Sequence, residues 1–411
     1  MISNSSQSRI LNSPPAVARL MDLAKRARER IPFYQESLSS IDFSTADLSA
    51  LPLLEKSMVR QAGRTILPPE FREDGPGVSV TFTSGSTGIP LRLVRTKVEM
   101  EPSIRAYWRA RAAIFPDVMN TTGIIVSPGV QQSTSVKPRS GPILVPMGAY
   151  KKREDYLDTI IGLQPRWLSG TPARLSLLVE SMLRYKRRFR TKLAFVESDS
   201  DCLMPETRAR FAEFFECPVV NHYGCHELMT IAYECPRGNM HLVDDCVVAE
   251  LFPLPESNEH ELVASSLIFE NMPFIRYRLG DSILTGEKYC TCGNTAPLLG
   301  EIRGRTTQFV AGTFCSGHHF FSFFIHAVLR QTGLNSVLRY QIHQVALTEF
   351  LVKLQLEELP SAQKSEHFQT ICAAFREAMA KAAPQWTFTF ECVDQIALTP
   401  GGKSEYFIRH V

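Results

Sequence analysis

The sequence lacks the features that would place it in a membrane, on nucleic acid or outside the cell. No apolar run reaches the ~18 residues that a spanning helix needs, so no membrane association is expected. The opening "MISNSSQSRILNSPPAVARL" has no apolar core of a secretory leader. Net charge is only +3, which gives no argument for a nucleic-acid or membrane partner. The ten cysteines lack the spacing of a disulfide framework. Without a leader, a reducing cytoplasm is the expected compartment, and most of these thiols should be small buried hydrophobes. No internal repeat and no low-complexity tract is visible. A Gly-rich loop ending in Gly-Lys-Ser/Thr, the Walker signature, is also absent.

What is present reads as a globular protein: 44% hydrophobic and 21% charged residues in 411 positions. That length suggests two or three domains, one of them large. Ala16–Arg30 has helical apolar spacing with a basic outer face, and Pro32 should stop it. Asp47–Arg60 reads as a short loop and a helix start. From Val78 onward strand-like and helix-like runs alternate. Thr122–Pro128 and Lys192–Ser198 look like buried strands, and Thr171–Arg188 and Met204–Phe215 like helices. This alternation predicts an α/β fold with a largely parallel sheet. Beyond about Glu301 the texture becomes that of a small α+β unit, with a boundary near Arg303–Thr307 dividing residues 1–304 from 305–411.

One loop is dense in hydroxyls: "VTFTSGSTGIPLRL", Val80–Leu93. Glycines let backbone N–H groups converge on an anion, and Ser and Thr add donors without fixed charge. Ser84, Gly85, Ser86, Thr87 and Gly88 therefore read either as a phosphate cradle or as a plain Ser/Thr-rich hairpin.

Other segments favour the cradle. "NHYGCHEL" (Asn221–Leu228) follows an apolar strand-like piece. "FIRYRLGD" (Phe274–Asp281), "EIRGR" (Glu301–Arg305) and "LTPGGKSEYFI" (Leu398–Ile408) come later in order. Together these resemble the adenylate-forming ligase superfamily, in particular its phenylacetate–CoA ligase-like branch. "IPFYQESL" (Ile31–Leu38) and "LPLLEKSMVR" (Leu51–Arg60) resemble that branch's N-terminal signatures, so the likeness covers nearly the whole chain.

The resemblance implies a large N-terminal domain with mixed and parallel sheets, plus a small mobile α+β C-terminal domain. It also assigns roles. The Ser84–Gly88 loop would hold the ATP phosphates. Tyr223 and Gly224 would lie against adenine. Glu227 would hold Mg²⁺, a hard cation that suits a carboxylate. Asp281 would accept hydrogen bonds from the ribose diol, with Arg305 near ribose or phosphate. Lys403, from the small domain, would stabilise charge on the α-phosphate.

Four departures from the superfamily pattern involve five positions. His226 stands where Thr usually precedes the Glu; it would contact phosphate, contact the acyl carboxylate, or pack. Asp201, in "SDSDCL", occupies the place of an expected acid near adenine or substrate. Leu279 replaces a Thr before Gly-Asp. Thr306 and Thr307 stand where the superfamily usually carries Asp at the hinge, which bears on the thiol-transfer step rather than on adenylation.

Cys235 and His241, with Cys290 and Cys292, fall in two short glycine-containing loops. Three thiolates and an imidazole form a closed tetrahedral set suited to structural Zn²⁺. Some members of the resembling branch carry a similar cluster.

The expected function is ATP-dependent activation of a carboxylic acid, with transfer of the acyl group to CoA or to carrier-protein phosphopantetheine. A homodimer is the expected assembly. Segments Ser127–Ser135, Leu168–Leu175 and Glu197–Asp201 are candidates to line the acid pocket, and an aryl or hydroxyaryl acid is the leading substrate class. Two other outcomes stay open: an amine acceptor, and a degenerate nucleotide-binding protein without turnover.

Overall fold

The computed structural model describes residues 8–83, 91–127, 142–146, 152–255, 257–286, 289–305, 309–311, 313, 317–334, 336–397 and 405–411. The chain divides into two compact units. The first comprises Met1–Pro253, Asn258–Leu279 and Ile283–Glu301, and the second Leu254–Ser257, Gly280–Ser282 and Ile302–Val411.

The first unit is built on a seven-stranded sheet. Its strands, numbered in chain order, are β1 (Gly123–Ser127), β2 (Pro142–Pro146), β3 (Trp167–Gly170), β4 (Phe195–Ser198), β5 (Val219–Cys225), β6 (Met229–Glu234) and β7 (Met240–Leu242). They lie in the order β7-β6-β5-β4-β3-β1-β2. The pairs from β2 through β5 are parallel, whereas β5–β6 and β6–β7 are antiparallel. The sheet is thus parallel in its body and antiparallel at one edge. The parallel reading holds for this sheet; the other sheet pairings in the unit whose direction is established are antiparallel.

Side chains alternate across each strand, and the two faces bury different partners. Ile124, Val126, Leu168, Val196 and Val219 face a core shared with the helices Arg153–Gly162, Pro172–Arg184 and Pro205–Phe215. Trp167, Phe195 and Val220 face the other way, with Tyr107 and Trp108 of the helix Lys97–Ile114. That helix starts cleanly because Thr96 and Glu99 form a reciprocal capping box. Gly123 sits beneath Trp167, where an added Cβ would fall 1.9 Å from the indole.

The first predicted helix spans Pro14–Arg30, and Pro32 ends it by opening a second short helix, Pro32–Ser37. Proline fits a first helical turn, where its missing N–H has no intrahelical acceptor. Cys217, Cys246 and Cys372 are buried, but Cys202 and Cys225 are half-buried and Cys392 is exposed. The expectation that most cysteines are buried is corrected to that extent: strand ends and turns hold several of them. Among the described residues, no helix is long and apolar enough to cross a membrane.

The second unit has a four-stranded sheet in the order Thr387–Val393, Glu349–Leu356, Val337–Ala346, Phe407–Arg409. A central antiparallel hairpin carries a parallel strand on each side. Helices Gly317–Thr332 and Ser361–Ala382 supply Phe321, Ile325, Ile371 and Phe375 to its core. Glycine opens the first of these helices against Phe407, where a Cβ would stand 2.6 Å from the ring.

Candidate active site

The motif around Glu227 lies at the turn between β5 and β6, at the C-terminal end of a parallel strand, where open α/β sheets form their ligand crevices. The hairpin is tight. A Cβ on Gly224 would stand 2.3 Å from the Met229 carbonyl oxygen, so no larger residue fits without moving the turn. Met229 itself has a φ of 60°, and the register slips between Tyr223 and Gly224. The bulge re-aims the chain just before the carboxylate.

Glu227 is buried and held on several sides. Tyr277 donates its hydroxyl to Oε1 at 2.9 Å, and Lys56 Nζ lies 3.9 Å from the same oxygen. Arg95 Nη2 donates to the Glu227 main-chain oxygen at 2.7 Å while its guanidinium covers the Phe269 ring. Burial pulls Arg95 down to about 10, opposed by the negative Glu99 and Glu227. Tyr223 is half-buried in β5, and His226 is exposed next to Glu227. Asp201 follows β4, where its Oδ1 accepts the Cys202 N–H at 2.9 Å. Leu279 is buried.

In the second unit, Arg305 Nε lies 3.4 Å from Asp281 Oδ1. Gly280, with φ of 74°, supplies the left-handed turn before that aspartate. Ser84, Gly85, Ser86, Thr87 and Gly88 lie outside the described residues, as do Thr306, Thr307 and Lys403. The strands that flank the hydroxyl-rich loop, Val78–Phe82 and Arg92–Thr96, pair antiparallel. Its neck is closed by Thr83, whose N–H donates to the Leu91 oxygen and whose Oγ1 accepts the Leu91 N–H.

The four candidate zinc ligands come together. The donor atoms of Cys235, His241, Cys290 and Cys292 all lie within 4.8 Å of one another. Cys235 and Cys290 sulfurs are 3.6 Å apart, and Cys292 Sγ is 3.3 Å from His241 Nε2. Zinc bonds of ~2.0–2.3 Å put tetrahedral ligands roughly 3.5–3.8 Å apart, so the set fits. His241 Nδ1 lies 2.9 Å from the Ala296 carbonyl, which leaves Nε2 as the ligating nitrogen. N–H groups of Arg237, Asn239 and Asn294 point at the three sulfurs.

A third cluster was not assigned from sequence. Glu197 is fully buried in β4 and receives Arg111 at both oxygens, Nε to Oε2 at 2.9 Å and Nη2 to Oε1 at 2.7 Å. Tyr233 donates to Oε2 at 2.6 Å, Ser169 lies 2.8 Å from Oε1, and Tyr107 also donates to Oε1. Burial alone would raise the Glu197 carboxyl, but the Arg111 charge and hydrogen bonds outweigh it and hold it at about 2. The same burial, with the Glu197 charge, raises Tyr107 and Tyr233 well above the usual phenol range. Sequence placed Glu197 and Ser169 only within candidate pocket segments. Arg111, amid the apolar residues of "YWRARAAI", was the one available signal.

No family model matches the chain. It is 27% identical over 313 residues to a phenylacetate-coenzyme A ligase from Thermus thermophilus, covering 70% of this chain and 69% of that protein. It is 20% identical to protein CapK of Staphylococcus aureus over 92% of this chain and 85% of that one. A solved 2-hydroxyisobutyryl-CoA ligase, in the postadenylation state with R3-HIB-AMP, superposes with a TM-score of 0.73 at 17% identity. That match covers 96% of this chain and 88% of the ligase. The chain has the fold of the adenylate-forming ligases, and its sequence is similar to that of a phenylacetate-coenzyme A ligase. Within that fold, the Tyr223–Glu227 turn is the feature around which chemistry can be assigned.

Proposed function

We propose that this protein is an AMP-forming carboxylic acid ligase that joins an acid to a thiol. A carboxylate oxygen of the acid attacks the α-phosphorus of ATP. The bond from that phosphorus to the bridging oxygen breaks, pyrophosphate leaves, and an acyl-adenylate remains. A thiolate, from CoA or a carrier-protein phosphopantetheine, then attacks the acyl carbon and AMP leaves. The protein's share is positioning and charge neutralisation.

The observation that carries the reading is Glu227, a buried carboxylate fixed by Tyr277 at the turn closing a parallel strand. With Oε1 taken up by Tyr277, Oε2 is the oxygen that would hold Mg²⁺. Magnesium, when bound, neutralises charge on the phosphate oxygens of ATP. Tyr223 would lie against adenine, with Gly224 keeping the turn narrow and Asp201 forming part of the neighbouring wall. Asp281 would take the ribose hydroxyls, and Arg305, already beside it, the ribose or phosphate. Ser84–Gly88 would hold the phosphates and Lys403 the α-phosphate. His226, exposed beside Glu227, would reach phosphate or the acyl carboxylate. Cys235, His241, Cys290 and Cys292 form a closed set, so zinc there would be structural.

An amine acceptor is the second reading, favoured by Thr306 and Thr307 in place of acidic hinge residues. The test is pyrophosphate release from ATP and Mg²⁺ across aryl, hydroxyaryl, fatty and amino acids, with hydroxylamine trapping the adenylate. Release with one acid class supports adenylation, and competition among CoA, holo-carrier protein and amines then names the acceptor. Silence across the panel, with ATP still bound, refutes it.

A further inference from the structure

The face of the sheet under the helix Lys97–Ile114 changes character along its length. At the starts of the strands it is apolar, with Trp167 of β3, Phe195 of β4 and Val220 of β5. Further on, the same face carries Ser169 and Glu197, which the parallel register pairs, and His222, two residues beyond Val220, the register partner of Glu197. The lane runs toward the C-terminal strand ends, and Asp199 lies just past β4 at that edge. Tyr223, the residue proposed to meet adenine, directly follows His222.

Glu197 is saturated by Arg111, Tyr107, Tyr233 and Ser169, and it explains why the deeper part of the lane exists. Two groups nearer the edge are not explained in this way. Ser169 Oγ lies 2.8 Å from Glu197 Oε1 and 3.0 Å from Asp199 Oδ2. A hydroxyl has one proton to give, so when Glu197 takes it Asp199 goes without. His222 is stacked on the Tyr107 ring at 4.4 Å, and its Nε2 lies 3.1 Å from Thr230 Oγ1. Its Nδ1 is shielded from water and has no hydrogen-bond partner among the described residues. A buried polar atom without a partner costs free energy that a purely structural role does not return. Burial lowers the imidazole's pKa, against the opposing charges of Glu197 and Asp199, which keeps the ring neutral. A neutral ring has one N–H for its two nitrogens. If Nε2–H donates to Thr230, Nδ1 is an acceptor; if Thr230 donates, Nδ1–H is a donor.

We propose that Asp199 and His222 select an acid that carries a hydrogen-bond donor, a hydroxyl or an amine, on its carbon skeleton. The inference rests on the ligase reading above and names the substrate class for that site. Both sources share a donor that satisfies Asp199. A hydroxyl pairs with either tautomer of His222, whereas an ammonium, which donates to Asp199 and has no lone pair to accept with, suits only an accepting Nδ1. The saturated Glu197 network beneath holds the His222 and Ser169 positions, so it acts through them and does not itself meet the acid.

The experiment measures pyrophosphate release by the full chain with matched sets: 3-hydroxybenzoate, 3-aminobenzoate and benzoate, and 3-hydroxybutyrate, 3-aminobutyrate and butyrate. A donor-bearing member should exceed its parent acid by roughly 10²-fold or more in kcat/KM, because a site built to bond a polar group rejects the analogue lacking it. The hydroxyl and amino arms tell the two sources apart. In Asp199→Asn and His222→Phe the ratio of substituted to parent acid should fall toward one. His222 is in the sheet, so His222→Phe can fail to fold. Asp199→Asn, at the half-buried strand end, keeps the test open, with thermal unfolding as the control on both. A wild-type preference for the parent acids, or a preference unchanged in well-folded Asp199→Asn, overturns the inference while leaving adenylation intact. No pyrophosphate with any acid overturns the ligase reading, and this inference with it.

Discussion

Tyr277 and Glu227 are 50 residues apart in sequence, and the tyrosine hydroxyl donates to the glutamate Oε1 at 2.9 Å. This one bond ties the strand that leads to Asp281 to the turn that carries the proposed magnesium ligand. Both groups are buried, so water cannot replace either partner when the other is removed.

Tyr277→Phe should therefore loosen the Glu227 carboxylate without removing it. We expect a higher Mg²⁺ concentration for half-maximal pyrophosphate release, and a loss of about 1–3 kcal/mol in stability from the unpaired buried oxygen. Magnesium titration and denaturant unfolding check the two effects separately. An unchanged magnesium requirement would remove Tyr277 from the site.

The cysteine–histidine cluster should hold close to one zinc per chain in protein prepared without chelator. Strong chelation, or Cys290→Ser, should lower the thermal midpoint by several degrees, because binding energy at a structural site is folding energy. Metal analysis and thermal unfolding in parallel decide this, and metal-free protein with an unshifted midpoint would exclude a structural zinc.

Arg111 and Glu197 are both almost completely shielded from water. Arg111→Ala leaves a buried carboxylate uncompensated, and a loss of about 3–5 kcal/mol is expected. The pair also predicts a pH dependence. Glu197 sits at about 2 in the folded chain against 4.5 for an ordinary glutamate. A depressed folded pKa stabilises the fold above the unfolded value, and that contribution disappears as pH falls from about 4.5 toward 2. Denaturation midpoints should drop across this window in the wild type, and Glu197→Gln should remove this part of the slope.

Gly224→Ala would push a methyl group against the Met229 carbonyl oxygen, 2.3 Å away. The turn would have to open, and Glu227 with it. Adenylation should fall at least about 10-fold, since small misplacement of positioned groups is costly to rate. Kinetics on folded variant protein would show whether the narrow turn matters.

Lys403→Ala should reduce acyl-adenylate formation by roughly 10²-fold or more if this lysine stabilises charge on the α-phosphate. The hydroxylamine trap measures it directly. Undiminished adenylate in the variant would take Lys403 out of the mechanism.

Much of this protein was legible as local pattern. Helical spacing in Pro14–Arg30, Pro172–Arg184 and Pro205–Phe215, and apolar runs at Gly123–Ser127 and Phe195–Ser198, are properties of short segments. They depend on backbone period and burial, which neighbouring residues largely set. The Tyr223–Glu227 motif was readable through its resemblance to the adenylate-forming ligases, whereas the bulged turn with Gly224 at its tightest point is a finding of the structure. The cysteine and histidine pairs also announced themselves, since ligand types are few and loops short.

Tertiary structure alone decided who meets whom. Nothing near Glu227 in sequence names Tyr277, Lys56 or Arg95 as its partners. Nothing local marks Arg111 and Tyr107, on a helix about 86–90 residues before Glu197, as the groups that keep that carboxylate ionised. Ser169, Glu197 and His222 form one lane only because three parallel strands present them on one face, Ser169 paired with Glu197 and His222 two residues nearer the C-terminal strand end than the partner of Glu197. Long-range pairing of this kind is set by strand register and by which face each helix covers, and those are settled by packing of the whole sheet rather than by any segment of the chain.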